Sequence, residues 1–391
     1  MQKIADRVFF SATDLTHFAD CQHLSWLDRL NLDQPMEKAE VDEQAKLIQA
    51  KGFEHEAAYL DGLEEAHSRI VTISAKASLQ DRVASTHAAI ADGAEVIYQA
   101  TLVRGNLIGH ADFLIHVGTD GKDGSHQYEV VDTKLARSAK AKFILQLCFY
   151  SDLLSDATGQ LPNHMHVELG NGKRETFRVA DYVYYYRHLL ARMLADTGAY
   201  GTSEPVYPVP CEFCALCHWR ERCATKRETD DHLSAVANIT RHQISRLESA
   251  GVRTIATLAT LPVDTIVPKL VDTSFAKLRE QASLQLEERE TGQQKAVVLP
   301  ISQDEIRGFA RLPLPDQGDL FFDMEGDPME VDGLEYLFGI YYFDQGKATY
   351  KCFWAHTREE ERKAFIDFMD FVTERLGHFP QMHIYHYAHY E

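Results

Sequence analysis

The sequence predicts an α/β protein of more than one domain, and two observations support this prediction. Two β-rich stretches, at about 96–135 and 319–356, are each flanked by segments with helical periodicity. The chain has 391 residues, which is too many for one typical domain and suits two or three. We therefore expect domains at 1–228, 229–300 and 301–391.

Composition and charge narrow the class of protein. The net charge of −19 argues against broad, non-specific binding of nucleic acid, although it leaves room for a local basic groove. No apolar run approaches the roughly 18 residues of a membrane span, and the N-terminus lacks the apolar stretch of a secretory signal. We expect a cytoplasmic protein without a membrane partner. In that reducing compartment, clustered cysteines favour metal ligation over disulfides.

The elements of the first domain follow from local patterns. Residues 1–70 have mostly helical periodicity, and helices are also predicted at about 139–154 and 180–197. Strands are predicted where β-rich runs alternate with turn residues. The runs are EVIYQATLV, NLIGHADFLIHV, HQYEVVDTKLA and the pair within HMHVELGNGKRETFRV. Strands and helices thus alternate along this domain.

The middle segment, ITRHQISRLESAGVRTIATLATLP, predicts two short helices joined by a turn at 250–252. Such a unit resembles a helix-hairpin-helix, which grips the DNA backbone through turn amides. A plain helical connector fits the same pattern. A charged helix and a polar linker near 290–310 follow.

Three charged residues on predicted strands suit metal-dependent hydrolysis of a phosphodiester. That chemistry needs carboxylates to hold the ion and a cation near the attacking water or the developing charge. Asp132 and Lys134 are two residues apart on a strand, so their side chains lie on one face. Asp112 adds a second acid on the neighbouring predicted strand. These residues are candidates for a catalytic centre.

Two predicted helices add further candidates. His55 and Glu56 lie on a helix that is expected to follow Gly52. Gln146 and Tyr150 are four residues apart, which places both on one face of their helix. Each feature alone is common in proteins, whereas their order along one chain is not.

In this order the motifs resemble those of the RecB-like branch of the PD-(D/E)XK nucleases. The resemblance implies a restriction-endonuclease-like core with a mixed central sheet flanked by helices, and a Mg²⁺- or Mn²⁺-dependent deoxyribonuclease. It implies Asp112 and Asp132 as metal ligands and Lys134 as the residue that positions or activates water. Gln146 and Tyr150 would contact the DNA strand or orient Lys134.

The resemblance also implies a partner and a role. The partner would be single-stranded DNA or DNA ends, and the role would be exonucleolytic cleavage in DNA repair, recombination or defence. In the first motif the family spacing selects Glu56, four residues after Gly52, and His55 stays open as the ligand. The alternative functions are a non-catalytic DNA-binding or scaffold module of a larger helicase-nuclease, and a nuclease stabilised by zinc.

Four of the seven cysteines lie within residues 211–223, in CEFCALCHWRERC. Four thiolates at this spacing suit a zinc site, but thirteen residues leave little chain with which to wrap a tetrahedron. The alternative takes three of them together with Cys21. Cys148 and Cys352 lie in apolar contexts and are predicted to be buried.

Many RecB-like nucleases carry one cysteine before the nuclease core and C-x2-C-x5-C after it, which together bind a [4Fe–4S] cluster. By this resemblance Cys21, Cys214, Cys217 and Cys223 would bind a cluster that holds the two ends of the domain together. Cys211 is then left over, as a spare thiol or an alternative ligand.

The third domain carries another acidic pair. Asp323 and Glu325 are two residues apart in DLFFDMEGDP and suit a two-metal site. With Glu391 they resemble the first two motifs of DEDD-type exonucleases of the ribonuclease-H-like fold, whose third motif has no counterpart here. We expect a truncated or split protein. In larger relatives a superfamily 1 helicase region follows, so a helicase region or separate subunit is the expected further partner.

Overall fold

The protein was analysed as a computed structural model of the chain. Its structure is described for residues 1–4, 6–40, 43–119, 124–202, 204–298, 306, 308–328, 330 and 332–388. It divides into two compact units, Met1–Ala296 and Val297–Glu391. The predicted connector, as far as residue 296, lies within the first unit.

A mixed six-stranded sheet forms the centre of the first unit, and a short hairpin precedes it in sequence. The strands are β1 (Gln2–Ile4) and β2 (Arg7–Phe9) of the hairpin, and β3 (Ile70–Thr72), β4 (Val96–Arg104), β5 (Leu107–Thr119), β6 (His126–Lys134), β7 (His164–Leu169) and β8 (Arg174–Arg178) of the sheet. The sheet strands follow one another in sequence order. The β4–β5, β5–β6 and β7–β8 pairs are antiparallel, whereas β3–β4 and β6–β7 are parallel.

Helices cover both faces of this sheet. The helices of this part are α1 (Ala12–Asp20), α2 (Gln22–Asp33), α3 (Glu43–Ala66), α4 (Leu79–Ala91), α5 (Ala141–Thr158), α6 (Val179–Gly198) and α7 (Arg220–Thr229), of which α1, α3, α4, α5 and α6 pack on the sheet. The larger core lies on the face covered by α1, α4, α5 and α6. A smaller core, in which Leu63 packs against Val96, Phe113 and Val131, lies on the α3 face. Apolar residues thus fill both sides of the strands.

Helix α3 differs from its prediction, which began the helix after Gly52. The helix begins at Glu43 and passes through Gly52 without a break. A single glycine costs a helix interior only about 1 kcal/mol, and the good helix formers on both sides of Gly52 offset that cost. His55 and Glu56 therefore lie in the middle of a long helix.

A small helical bundle completes the first unit. Its helices are α8 (Arg241–Ser249), α9 (Ile255–Thr260) and α10 (Asp272–Thr291). The predicted turn between α8 and α9 contains Gly251 with φ +86°, a left-handed conformation that glycine adopts without steric cost. Leu247, Ile255 and Phe275 form its own small core.

The second unit is a four-stranded sheet with one helix. Its elements are β9 (Leu320–Asp327), β10 (Leu334–Asp344), β11 (Lys347–Trp354), α11 (Arg358–His378) and β12 (Ile384–Tyr385). The strand order is β11-β10-β9-β12, in which β12 is parallel to β9 and the other pairs are antiparallel. Phe322 and Phe338 pack against Phe368 of α11.

The other face of this sheet is exposed, and it corrects the prediction that Cys352 is buried. Cys352 lies on the edge strand β11, between the exposed side chains of Tyr350 and Trp354. Apolar residues occur on both faces of this strand, so an apolar sequence context does not indicate which face is covered by other elements. Cys148, in α5, is buried as predicted. In the described part of the chain, no helix is both long and apolar enough to cross a membrane.

Candidate nuclease centre and cysteine site

Two aspartates meet where β5 and β6 pair. The pairing of Phe113 with Val131 places the next residues, Asp112 and Asp132, opposite each other. Asp112 Oδ2 accepts a hydrogen bond from the Thr133 backbone N–H at 3.2 Å. The ammonium of Lys134 forms an ion pair with Asp132, whose side chain is fully buried. The strand spacing thus places one cation directly against the buried acid.

Helix α5 supplies two polar side chains to the same place. Gln146 Nε2 lies 3.2 Å from Asp132 Oδ1 and 3.1 Å from the Tyr150 hydroxyl, and donates to both. The helix packs an apolar face on the sheet, which directs this pair of residues, one turn apart, toward the end of β6. Burial raises the pKa of Tyr150, so its hydroxyl keeps its proton at neutral pH.

Helix α3 brings a third carboxylate from the other side of the sheet. Glu56 Oε1 accepts hydrogen bonds from the Tyr98 hydroxyl at 2.9 Å and from Gln99 Nε2 at 2.6 Å. The ring of His55 is directed elsewhere, with Nε2 3.4 Å from the backbone oxygen of Glu168. Of these two side chains, Glu56 is the one whose charge acts on Asp112.

Tyr98 and Gln99 were not predicted as site residues. Both belong to β4, and Gln99 has φ +58°, which is rare for a residue with a side chain. The register of β4 with β5 is interrupted at Gln99, opposite Asp112. A strand-like sequence gives no sign of such a conformation, so only the tertiary structure reveals it.

Electrostatics ties the three acids and the lysine into one group. Burial raises the pKa of Asp112 well above its usual range, and the charges of Asp132 and Glu56 raise it further, against the opposing effect of Lys134. Burial alone would lower the pKa of Lys134, but Asp132 and Asp112 raise it overall. Three carboxylates share one nearby ammonium group, so the centre has excess negative charge.

This donor set fits a divalent cation. Mg²⁺ and Mn²⁺ prefer carboxylate oxygens, and an added positive charge would relieve the repulsion that raises the pKa of Asp112. Across the described ranges, no three His, Cys, Asp or Glu side chains already converge closely enough to hold a metal ion. Glu56 is bound to Tyr98 and Gln99, and Asp132 to Lys134, so side-chain rotation would have to accompany metal binding.

Five cysteines line one narrow, nearly apolar cavity in the first unit. They are Cys21, Cys211, Cys214, Cys217 and Cys223. Cys21 lies between α1 and α2, and Cys223 lies on α7. The buried ring of Trp219 packs beside them, and its Nε1 donates to Asp28 at 2.9 Å. The fold thus brings Cys21 to the three cysteines that were predicted to join it.

Burial raises the pKa of three thiols of this cavity, those of Cys211, Cys217 and Cys223, and so favours their protonated form. Burial raises the pKa of Cys211 to about 11, and the neighbouring Cys214 adds to the effect. Burial and Cys217 likewise raise the pKa of Cys223 to about 11. A metal or cluster would have to displace these protons, as thiolate ligation always does.

The predicted acids of the second unit lie on its exposed sheet face. Asp323 and Glu325 alternate with inward-facing residues of β9, and both are exposed. Glu391, the third predicted acid there, lies outside the described residues. The described part of this unit therefore shows a pair of acids without a covering layer.

Comparison with known families supports one part of these expectations. The family model for the RNase_H superfamily matches residues 320–391. No curated protein matches the chain. The match supports a ribonuclease-H-like domain at the second unit, and with it a nuclease-type fold in that part of the chain. It does not cover the first unit, which contains the buried acidic centre and the cysteine site.

Proposed function

We propose that the first unit is a metal-dependent deoxyribonuclease of the RecB-like PD-(D/E)XK type. The observation that carries the proposal is the meeting of Asp112, Asp132, Glu56 and Lys134, from two strands and a helix, at one buried place. Few structural roles need three acids beside a single cation. Hydrolysis of a phosphodiester at a divalent metal needs such a set of acids.

The chain's own residues have distinct parts in this reaction. Mg²⁺ or Mn²⁺, held by Asp112 and Asp132 with Glu56 nearby, would supply Lewis-acid activation of the phosphate and of water. Lys134 stabilises negative charge that develops at the reacting phosphate and orients the attacking water. Gln146 fixes the carboxylate of Asp132, and Tyr150 fixes Gln146. The last two are therefore positioning residues.

Cleavage of single-stranded DNA tests the proposal. Purified protein is expected to degrade a labelled oligonucleotide with Mg²⁺ or Mn²⁺ and not with EDTA. Asp132→Ala and Lys134→Ala should each lower the rate by about 100- to 1000-fold, the usual effect of removing an electrostatic contact from a transition state. Full activity in both variants would contradict the assignment of the centre.

We also propose a [4Fe–4S] cluster at the cysteine cavity, bound by Cys21, Cys214, Cys217 and Cys223. Its support is that Cys21 reaches the cavity from about 190 residues upstream of the other three. A single zinc ion would require four thiolates at about 2.3 Å from one point. A [4Fe–4S] cluster takes one thiolate at each of its four iron atoms, so its ligands need not converge on a single point. Cys211, with Sγ 3.8 Å from that of Cys214, is the neighbouring spare thiol.

An absorption spectrum distinguishes the two cofactors. Protein purified without oxygen is expected to show a broad visible band and about four iron atoms per chain. Cys21→Ser should abolish the band, whereas Cys211→Ser should keep it. A colourless protein with one equivalent of zinc would reject the cluster and leave the nuclease proposal standing.

A non-catalytic DNA-binding module is the second candidate for the whole chain. It would bind DNA through the same surfaces and show no metal-dependent cleavage. The intact set of Asp112, Asp132 and Lys134 favours the enzyme, because a binding module has no need for a lysine bound to a buried aspartate. DNA repair, recombination or defence is the proposed setting.

A further inference from the structure

An open cleft of about 230 Å³ adjoins the proposed catalytic centre. Lys134 and Gln146 form part of its wall, so a molecule in the cleft lies beside the reacting groups. The cleft is also lined by Lys142 of α5, His17 and Asp20 of α1, and Phe213 of the cysteine segment. The cleft is thus built from parts of the chain that are far apart in sequence.

Phe213 connects the cleft with the cysteine site. It lies in the short 3₁₀ turn Glu212–Ala215, between Cys211 and Cys214. Its ring centroid is 5.1 Å from that of His17, and it also packs with the apolar residues around Cys217. The segment that carries the cysteines therefore presents an aromatic ring to the cleft.

The basic side chains that line the cleft suit phosphate. Residues 133–151 contain four basic residues and no acid, in a chain whose net charge is −19. Lys134 and Lys142 from this stretch line the cleft, and Asp20 is the acid that faces them. Phosphates of nucleic acids bind lysine, and exposed bases stack on aromatic rings. The cleft offers both kinds of group within one small space.

We propose that this cleft holds the nucleotide next to the bond that is cut, with Phe213 stacked on its base and Lys142 beside its phosphate. The inference rests on the proposed function and adds to it the two residues that would hold the DNA strand beside the centre. The strand must be single, because a base within a duplex already stacks on its neighbours and has no face free for Phe213.

Binding without divalent metal tests the inference apart from cleavage. The probe is a single-stranded oligonucleotide that contains 2-aminopurine, whose fluorescence is quenched by stacking. Wild-type protein is expected to quench it. Phe213→Leu should abolish the quenching and weaken binding by about 5- to 50-fold, consistent with roughly 1–3 kcal/mol per stacked base. Phe213→Tyr should retain both, as should Tyr184→Leu, which removes an exposed aromatic side chain outside the cleft.

Lys142→Gln tests the phosphate contact on an exposed helix position, where loss of folding is not expected. It should weaken binding and lower the slope of log affinity against log salt by about 0.7, the value for one contact to a single strand. Lys76→Gln, in the exposed loop between β3 and α4, is the control and should leave the slope unchanged.

Two results would overturn the inference. One is wild-type quenching and affinity in Phe213→Leu with its visible absorbance band intact. The other is an unchanged salt slope in Lys142→Gln, which remains decisive if Phe213→Leu loses its cofactor. Binding that depends on both residues in a protein without metal-dependent cleavage would uphold this cleft and reject the proposed hydrolysis. The two proposals can therefore fail separately.

Discussion

Each unit carries a pair of acids on β-strands. In the first unit they lie on neighbouring strands, and in the second they are two residues apart on one strand. The surroundings of the two pairs differ. Asp112 and Asp132 lie at a buried end of the first sheet, where α3 and α5 bring Glu56 and Gln146 to them. Asp323 and Glu325 stand on an exposed sheet face. Strand spacing decides which side chains share a face, whereas the elements that cover the face turn acids into a site.

The exposed face of the second sheet carries aromatic side chains, which a covering layer would contact. Phe321, Tyr341, Tyr350 and Trp354 all lie there and are between 42% and 59% exposed. The opposite face is filled by α11. Of the described residues in this unit, no helix packs on the face that carries Asp323. A pair of strand acids is therefore enclosed by other elements in the first unit and lies open among the described residues of the second.

The largest expected effect is a difference in cleavage rate between variants of the two acid pairs. Asp112→Ala should lower metal-dependent cleavage by about 100- to 1000-fold, because it removes a charge from the proposed metal centre. Combined Asp323→Ala and Glu325→Ala should change the rate by less than about threefold, because none of the described elements of the second unit covers that pair. Initial rates on one labelled oligonucleotide compare the variants. The reverse ranking would assign the activity to the second unit.

A second effect concerns a buried acid of the first unit that lies outside its proposed centre. The side chain of Asp152 is 2% exposed, and Arg104 and Arg187 both bind it. Asp152→Ala should lower the free energy of unfolding by about 2 kcal/mol, since it removes the buried carboxylate that accepts hydrogen bonds from the partly exposed Arg104 and Arg187. Asp156→Ala removes an exposed partner of Arg104 and should cost less than about 1 kcal/mol. Denaturant titration measures both.

The dependence of this effect on pH has a definite sign. Burial alone would raise the pKa of Asp152, but hydrogen bonds from Arg104 and Arg187 hold it below its usual value. Its stabilisation is present above the unfolded pKa of about 3.9 and is lost as pH falls through the lower folded value. The gap between wild type and Asp152→Ala should therefore narrow below about pH 4. A gap that widens there would contradict the ion pair.

The smallest effect compares one thiol from each unit. A thiol reagent is expected to modify exposed Cys352 in the native protein but not Cys148, which is buried and whose pKa burial raises to about 12. Cys352→Ser should remove one rapidly reacting equivalent, and Cys148→Ser should remove none. If Cys352→Ser removed no rapidly reacting equivalent, the exposed face of the second unit would be covered in solution.

Several features of the site were accessible from sequence because they depend on short-range geometry. Spacing of two on a strand predicted that Asp132 and Lys134 share a face, and they form an ion pair. Spacing of four on a helix did the same for Gln146 and Tyr150, which hydrogen-bond at 3.1 Å. The strands and helices around them were predicted for the same reason.

Long-range features were not accessible in that way. Nothing in the residues near Phe213 indicates that its ring reaches a cleft beside Lys134, because that contact depends on how α1 and α5 pack. Cys21 was connected to the downstream cysteines only through a family resemblance, and its local sequence would not have identified it. The exposed position of Cys352 likewise depends on what covers its sheet.

Gln99 has a consequence for how this protein could be improved. Its left-handed backbone costs about 1 kcal/mol in a residue with a side chain, and glycine would adopt the same conformation freely. Glycine would also remove the amide that donates to Glu56 at 2.6 Å. A screen for heat resistance and a screen for activity would therefore select different residues at position 99. This trade-off is expected wherever a working site is held by a strained backbone.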